Sequence, residues 1–505
     1  MVFSSLEFIY LFLPPVLFIF LVLRHFQWEK GIIWWLIISS LAFYAWWSPL
    51  HLVLLLISVG ANYALHRLML KRKSKSLLTV GIVANLATLG YFKYADFMVL
   101  NFNLMTGAET PMLNIVLPLA ISFFTFQQIA FLYDTYIGEI SDCDFAKYCL
   151  FVVFFPQLIA GPIVMQKQTI PQFKMAVFQK RIFVNLSVGS TLFIIGLFKK
   201  IVLADGVAPF ATAVFSLAET GEVVPMEAAW MGIVAYSFQI YFDFSGYCDM
   251  ALGLARMFGI RLPLNFNSPY KALNIVDFWS RWHMTLSIFL RNFLYIPMGG
   301  NRKGPVRRYV NLAATMLLGG LWHGASWNFV FWGLLHGFYL SVNHAWGSLI
   351  SGREGLNILP PVVSRFLARS VTLLSVMVAW VFFRAETFTG AGAMLEGMFG
   401  LSEYPNMKLW ANILTDTGLF WIGTTILTMG VLWVPNSVEI VSNYRPVTNA
   451  RSFIKKAVGL SFILREKIQW RPSAQWSSVL FVVGLVSLIQ IYRLVELTEF
   501  IYFNF

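Results

Sequence analysis

The chain has 505 residues and a net charge of +13; 58% of its residues are hydrophobic and only 12% are charged. A soluble protein carries about 25% charged residues, so this chain has too little polar surface to coat a globule. The composition therefore argues against a soluble enzyme and predicts a membrane protein, whose excess positive charge lies in cytoplasmic loops and not on a nucleic-acid-binding surface.

Apolar runs long enough to cross a bilayer begin near the N-terminus, where they occupy residues 8–23, 32–47, 50–65 and 77–92. A helix needs about 20 apolar residues to cross the hydrocarbon core. Residues 1–7 contain no basic leader and no cleavage site follows the first run, so we interpret it as a membrane helix and not a signal peptide. Continued along the chain, these patterns predict an all-α, polytopic protein with about 11–13 membrane segments.

Lysine and arginine cluster in three places, at residues 67–75, 291–308 and 445–471. The positive-inside rule predicts that all three clusters are cytoplasmic. Counting segments then places the N-terminus outside, residues 24–30 inside and residues 48–49 outside. A last span at about residues 476–495 takes the C-terminus outside as well.

Two apolar segments in the middle of the chain are short and interrupted. Residues 148–165 contain Pro156, Gly161 and Pro162, and residues 286–300 end with Pro297 and two glycines. Irregular backbone at membrane depth is tolerated only where protein buries it or where it lines a cavity. We expect both segments to be re-entrant; the alternative is an ordinary kinked helix.

Ionisable residues within apolar segments indicate function by default, because the bilayer makes them costly. His283 lies in the stretch WSRWHMT, His323 ends a long apolar run in GGLWHG, and Asp243 and Asp249 share one apolar span. A histidine among apolar neighbours is able to act as a general base near neutral pH, and small residues beside it leave room for a substrate. The alternative is a packing histidine bonded to a backbone carbonyl. The two acids are six residues apart, which favours a role in helix packing.

Other catalytic patterns are missing from the sequence. It has no G-x-S-x-G elbow and no phosphate-binding loop of the Walker type. Its three cysteines form no CxxC pair, so neither a disulfide framework nor a metal site is predicted.

Several motifs together resemble the membrane-bound O-acyltransferase (MBOAT) family, and within it the alginate O-acetyltransferase branch. The resemblance runs almost from end to end. The motifs are FYAWW at residues 43–47, GYFKYAD at 90–96, PQLIAGP at 156–162, YFDFSGYCD at 241–249, NFNSPY at 265–270, FWSRWHMTLS at 278–287, GGNRKG at 299–304 and GGLWHG at 319–324.

The resemblance implies a single membrane-embedded domain over residues 1–505, with a family core at roughly 110–385 and flanking helices at 1–97 and 418–495. It also implies a central tunnel or funnel that leads to a buried histidine. His323 is the implied catalytic histidine and His283 the second functional one. The substrate-binding residues that we expect beside them are Trp279, Arg281, Trp282, Asn267, Trp322 and Asp243.

The resemblance further implies O-acetylation of an extracytoplasmic polysaccharide such as alginate, in the bacterial inner membrane. Acetyl-coenzyme A is the expected acyl donor, with no tightly bound cofactor. The expected partners are membrane lipids, the polysaccharide acceptor and periplasmic acetyltransferases of the SGNH type, similar to AlgJ and AlgX. Residues 98–112 and 400–416 match no motif of the family, so specificity for the acceptor is expected there.

Alternatives remain open at this point. Within acyl transfer they are acetylation of peptidoglycan or of another exopolysaccharide, and D-alanylation from a carrier protein. A transporter or flippase for a lipid-linked glycan is the alternative from another class, because transporters also contain interrupted helices. The sequence shows no internal repeat that would support it.

Overall fold

The computed structural model describes residues 1–350, 359–402, 405–415, 417–448, 464, 466–493 and 500–501. Within these residues every regular element is a helix. The N-terminal half contains α1 (Leu13–His25), α2 (Glu29–Ala45), α3 (Pro49–Lys71), α4 (Lys75–Thr106), α5 (Ile121–Tyr136), α6 (Phe145–Val153), α7 (Phe155–Leu158), α8 (Gln166–Thr169), α9 (Met175–Phe178), α10 (Ile182–Phe198) and α11 (Asp205–Glu219). The C-terminal half contains α12 (Met226–Met257), α13 (Ile275–Trp279), α14 (Met284–Leu290), α15 (Gly304–His323), α16 (Trp327–Ile350), α17 (Pro361–Arg384), α18 (Phe388–Met398), α19 (Met407–Trp410), α20 (Thr417–Trp433), α21 (Ser437–Ile440) and α22 (Ala474–Arg493).

Six of the described helical segments are long and apolar enough to cross a membrane. They are Glu7–His25, Pro49–Lys71, Lys75–Thr106, Ile182–Glu219, Pro361–Arg384 and Ala474–Arg493. The segment Ile182–Glu219 is continuous because a π-helical turn, Lys199–Ala204, joins α10 to α11. The prediction of an all-helical, multi-pass membrane protein is therefore confirmed.

The predicted re-entrant segment at residues 148–165 is present. The chain forms α6, breaks at Phe154 just before Pro156, and continues irregularly to α8, with residues 148–164 fully buried. Both ends lie together, because Gln166 bonds to Asp134 in the last turns of α5 and Lys167 pairs with Glu139 in the loop before α6. The segment thus enters and leaves on one side.

The second interrupted segment is part of a longer irregular stretch, residues 258–303 between α12 and α15, which we call the excursion. Residues 286–300 form α14, a π-helical turn (Arg291–Tyr295) and a series of turns that lead to α15. The excursion begins already after α12, where the extended residues 260–267 run beside residues 281–284. Two backbone hydrogen bonds join these extended segments. Met284 N–H donates to the Asn265 carbonyl at 3.0 Å, and Asn267 N–H donates to the Arg281 carbonyl at 2.9 Å.

Loops from distant parts of the chain meet on one side of the molecule, which we call the basic face: residues 24–30, 66–76, 137–144, 166–181, 256–261 and 443–448. The contacts that join them are Arg24 to the Phe178 carbonyl at 3.1 Å, Lys147 to Glu29 at 3.4 Å, the ion pairs Arg67–Asp142 and Lys167–Glu139, Gln172 to the Arg261 carbonyl at 2.9 Å, and Arg256 to the Tyr444 carbonyl at 3.3 Å. The basic cluster near residue 291 adjoins this face, since Phe293 lies 5.5 Å from Tyr133 in α5. Part of the third cluster lies outside the described residues.

Helices α10 and α12 pack backbone to backbone at the centre of the molecule. Added methyl groups show how close they are: a Cβ at Gly196 would lie 2.6 Å from the Gly246 carbonyl oxygen, and one at Gly253 would lie 2.5 Å from the Gly189 carbonyl oxygen. Small residues at such crossings are a common feature of membrane helices. This packing holds α12 in place, and the chain leaves α12 directly into the excursion that carries His283.

Buried ion pairs join the π-helical turn between α10 and α11 to α12 and to the start of α11. Lys199 lies 2.6 Å from Asp249, and Lys200 lies 2.8 Å from Asp243 and 2.8 Å from Asp205. The spacing of Asp243 and Asp249 favoured a role in helix packing, and these contacts agree with that role. Removing one partner of a buried pair leaves an uncompensated charge and typically costs about 3–5 kcal/mol.

Candidate active site

His323 is the last residue of α15, and it is only 2% exposed. Two side chains of α4 hold the carbonyl groups at this helix end. The Lys93 amino group donates to the Trp322 carbonyl and lies 3.5 Å from the His323 carbonyl, and the Tyr94 hydroxyl donates to the Leu321 carbonyl at 2.7 Å. The last carbonyls of a helix have no partner within the helix, so α4 supplies the partners that fix where α15 ends.

Aromatic rings surround the imidazole of His323. Among the described residues, ring centres lie at 4.9 Å for Trp322, 5.1 Å for Trp332 and 5.2 Å for Phe383. The glycines beside His323 serve a different purpose from the expected room for a substrate. A Cβ at Gly320 would lie 2.2 Å from the Phe329 carbonyl oxygen, and one at Gly324 would lie 2.2 Å from the Phe329 ring. These glycines permit the close packing of α15 against α16.

His283 lies in the left-handed region, with φ of 42°, just before α14. Its Nδ1 is 3.2 Å from Oδ1 of Asn265. The same oxygen accepts from the Thr285 backbone N–H at 3.2 Å and from the Thr285 hydroxyl at 2.8 Å. A backbone N–H only donates, so this Asn265 atom is the amide oxygen, and His283 must donate to it from Nδ1. The neutral imidazole therefore carries its lone pair on Nε2.

The two histidines lie close together although 40 positions separate them in the sequence. Their ring centres are 6.5 Å apart, and the Trp322 ring lies 6.2 Å from His283. His283 is 1% exposed, so both imidazoles are buried in one aromatic compartment. An imidazole that is oriented by a neighbour on one nitrogen presents its other nitrogen for proton transfer.

The predicted substrate-binding residues fall into two groups. Trp322 contacts both histidines. Trp279 donates to Nδ1 of His336 at 3.2 Å and packs on Trp332, which itself contacts His323. These two tryptophans lie in the histidine compartment or directly against its wall.

The other predicted residues have structural partners. Trp282 is 1% exposed and packs against Phe266 and Trp380. Arg281 pairs with Asp277 at 2.8 Å and bonds to the Asn267 carbonyl at 3.2 Å. The Asn267 side chain accepts from Asn436 at 3.2 Å.

Asp243 pairs with Lys200 and accepts from the Ile501 backbone N–H at 2.9 Å. The assignment of Trp282, Arg281, Asn267 and Asp243 to substrate binding stays a prediction.

Two residues of the site were not recognised from the sequence as functional candidates. Asn265 orients His283, and Lys93 anchors the end of α15. A signal for Lys93 was present, because an ionisable lysine within an apolar run is costly in the bilayer and indicates function by default. Asn265 gave no such signal, since its role depends on how the excursion folds back.

A cavity of about 550 Å³ lies between α14, α15 and α16, on the side of the basic cluster. Arg291, Arg302 and Arg308 line it together with Trp279, whereas Lys303 and Arg307 are exposed outside its lining. Thr315 and Met316, about two turns before His323 on α15, also line it. The described lining stops short of His323, so a tunnel that reaches this histidine stays a prediction.

Comparison with known proteins gives matches over most of the chain. The model of the MBOAT, membrane-bound O-acyltransferase family matches residues 135–378. A peptidoglycan O-acetyltransferase from Helicobacter pylori is 44% identical over 434 residues, which cover 80% of this chain and 80% of that protein. A probable alginate O-acetylase AlgI from Pseudomonas aeruginosa is 39% identical over 444 residues, which cover 86% of this chain and 81% of that protein.

A more distant match is a teichoic acid D-alanyltransferase from Streptococcus thermophilus. It is 26% identical over 236 residues, which cover 45% of this chain and 57% of that protein. All three names describe acyl transfer, and they name peptidoglycan, alginate and teichoic acid. Since the first two relatives match this chain over most of both lengths, the chain belongs to the membrane-bound O-acyltransferase family.

Proposed function

We propose that this membrane-bound O-acyltransferase takes an acetyl group from a cytoplasmic thioester and transfers it for O-acetylation of an extracytoplasmic polysaccharide. The observation that carries the proposal is the pair of buried imidazoles, His323 and His283, whose ring centres are 6.5 Å apart. Acyl transfer to a polysaccharide is the activity that the relatives have in common.

His323 is the proposed general base. It removes the proton from an acceptor hydroxyl while the hydroxyl oxygen attacks the thioester carbonyl carbon. The new carbon–oxygen bond forms, the carbon–sulfur bond breaks, and the proton held by His323 passes to the departing thiolate. Such general-base assistance contributes typically about 10²–10⁴-fold to the rate. The aromatic rings around His323 exclude water, which limits hydrolysis of the thioester.

His283 is the proposed positioning group. Its Nδ1 is committed to Asn265, and Asn265 is itself fixed by Thr285 and by a 3.3 Å contact with the Cys248 thiol. This arrangement holds the imidazole plane and its tautomer. Nε2 of His283 is thereby oriented for a hydrogen bond that accompanies transfer at His323.

The donor is proposed to be acetyl-coenzyme A, which would approach through the cavity between α14, α15 and α16. Its phosphates would meet Arg291, Arg302 and Arg308 as charge-assisted contacts. Residues 291–308 adjoin the basic face, which is proposed to be cytoplasmic by the positive-inside rule. Both termini would then lie on the periplasmic side of the inner membrane.

The acceptor is proposed to be a polysaccharide outside the inner membrane, reached through periplasmic acetyltransferases of the SGNH type. The names of the two relatives favour peptidoglycan or alginate, and the higher identity belongs to the protein that acts on peptidoglycan. Deleting the gene and measuring ester-linked acetate separately on purified peptidoglycan and on exported polysaccharide distinguishes them. Loss from one polymer identifies it, and unchanged acetate on every envelope polymer would refute the proposed function.

The proposed base is tested by replacing His323 with alanine. We expect His323→Ala to keep its membrane level and its thermal unfolding temperature but to lose product acetylation. His25→Ala, at the exposed end of α1, is the matched control and should keep full activity. Acetylation at the wild-type level in the His323→Ala protein would show that another group is the base.

A further inference from the structure

A second basic cavity opens on the basic face, away from both histidines. Its volume is about 750 Å³, and five cationic side chains line it: Lys180, Arg181, Arg256, Arg261 and Arg445. The described residues of its lining include no carboxylate. Like charges brought together in this way repel one another unless an anion compensates them.

Arg256 is the strongest indication that the cavity is built for a ligand. It is only 4% exposed, and its Nη2 donates to the Tyr444 carbonyl at 3.3 Å. Among the described residues, no hydrogen-bond partner meets its buried Nε. A buried guanidinium donor that lacks a partner is costly. Arg256 also lines the cavity, where an anionic ligand would compensate its charge.

Arg261 is held beside Arg256 through its backbone, and Arg181 lies at a helix N-terminus. The Gln172 side chain forms two hydrogen bonds with the Arg261 backbone. Its Oε1 accepts from the Arg261 N–H at 2.9 Å, and its Nε2 donates to the Arg261 carbonyl at 2.9 Å. Burial, together with the charges of Arg445 and Arg181, lowers the pKa of the Arg261 guanidinium. Arg181 is also the residue before α10, and no side chain caps that helix. The N-terminus of a 17-residue helix therefore adds a positive partial charge to the same cavity.

An apolar groove of about 410 Å³ adjoins this cavity along the same helices. It is formed by α1, α10 and α22, with leucine, isoleucine and phenylalanine side chains on its walls. Neighbouring residues of the chain line the two spaces. Asn185 and Arg256 line the basic cavity, and the residues that follow them, Leu186 and Met257, line the groove. Between Leu186 and Leu197 the groove follows α10 for about 16 Å, which is comparable to the length of an acyl chain.

We propose that these two spaces form a binding site for an anionic phospholipid, with the phosphate-bearing headgroup in the basic cavity and one acyl chain in the groove. Charge complementarity selects an anionic headgroup over a zwitterionic one. The groove supplies the apolar surface that a soluble phosphate compound would not use. This inference does not depend on the chemistry at His323, because it concerns a different space.

Native mass spectrometry of the purified full chain in neutral detergent tests the headgroup. We expect phosphatidylglycerol to bind more tightly than phosphatidylcholine of the same chain length. Arg181→Gln, Arg261→Gln and Arg445→Gln should each weaken phosphatidylglycerol binding by about tenfold, as expected for one lost charge-assisted bond. Arg72→Gln, an exposed cation of the same face, is the matched control and should bind normally.

The groove is tested separately through Gly484, whose Cβ would lie 3.7 Å from Ile194 across the groove. Gly484→Leu should reduce phosphatidylglycerol binding, whereas Gly423→Leu, on an exposed part of α20, should not. Adenosine 3′,5′-bisphosphate serves as the soluble competitor. Equal binding of the two lipids, or arginine-dependent binding of the bisphosphate in place of the lipid, would overturn the proposal.

Discussion

At the scale of single residues, one amide oxygen organises the part of the site around His283. Asn265 Oδ1 accepts from the imidazole and from two groups of Thr285. Asn265→Ala would leave three buried donors without this acceptor, at about 1–3 kcal/mol for each unsatisfied group. We expect a lower unfolding temperature and a fall in kcat for acetyl transfer, with little change in KM for the donor.

Asn267→Ala is the natural control for this change, because the Asn267 side chain accepts from Asn436 and not from His283. It should affect kcat less than Asn265→Ala. The reverse order, with the larger loss of kcat at Asn267, would mean that this residue binds the substrate, as the sequence suggested, and that Asn265 has no positioning role.

Lys93 anchors the end of the helix that carries His323. It donates to the Trp322 carbonyl, and its amino group lies 5.7 Å from the centre of the Trp322 ring. Lys93→Met keeps the aliphatic length but removes the donor at the end of α15. We expect acetylation to fall and stability to drop by about 1–3 kcal/mol.

Tyr94→Phe provides the comparison, since it removes only the hydroxyl bond to the Leu321 carbonyl. A neutral hydrogen bond contributes about 0.5–1.5 kcal/mol, so this variant should be milder in both stability and acetylation. Activity that is lost equally in the two variants would show that neither contact is specific for His323. Thermal unfolding in detergent and acetate release from the product measure the two effects.

At the scale of helices, the crossing of α10 and α12 leaves no space for a side chain at Gly196. A Cβ there would meet the Gly246 carbonyl oxygen at 2.6 Å and the Met250 nitrogen at 2.7 Å. Gly196→Ala should therefore destabilise the protein by about 1–3 kcal/mol, although alanine is the better helix former. Gly60→Ala in α3 should be neutral or stabilising, because an added Cβ there would meet no described atom outside its own stretch of helix within 4 Å. Equal unfolding temperatures for the two variants would contradict this account of the crossing.

The elements also show where sequence reasoning succeeds. Long apolar runs predicted α1, α3 and α4 because length and hydrophobicity together decide whether a helix is able to cross the bilayer. Prolines and glycines indicated the broken helices near residues 148–165, because proline removes a backbone donor and glycine weakens a helix through its conformational freedom. The positions of long helices and of breaks in them can therefore be predicted from the sequence, because their causes are local.

Contacts within the site could not be predicted from the sequence in the same way. Lys93 and the Trp322 carbonyl are 229 positions apart, and no periodicity relates them. Gly320 and Gly324 were expected to make room for a substrate, but their neighbours from α16 fill that space. Motif content thus selected the two histidines as candidates, while the groups that contact them depend on tertiary packing between distant helices.

At the scale of the whole molecule, the basic face should lie in the cytoplasm. The 32-residue helix α4 connects this face to the opposite side, so positions before and after it report orientation. Lys73→Cys, before α4, should react with a membrane-impermeant maleimide only after the inner membrane is permeabilised. Glu109→Cys, after α4, should react once the reagent reaches the periplasm. Both positions are exposed.

The native cysteines favour this measurement, because all three are buried. Burial, with help from Asp144 and Asp142, raises the pKa of Cys143 in the loop before α6 to about 11. The thiolate is the reactive form, so at pH 7 only about one Cys143 thiol in ten thousand is ready to react. Background labelling at Cys143 should rise about tenfold per pH unit up to pH ~11, while the exposed engineered thiols react already near pH 7 to 8. Labelling of Lys73→Cys in intact cells at neutral pH would invert the proposed topology and place the arginine-lined cavity on the wrong side for a cytoplasmic donor.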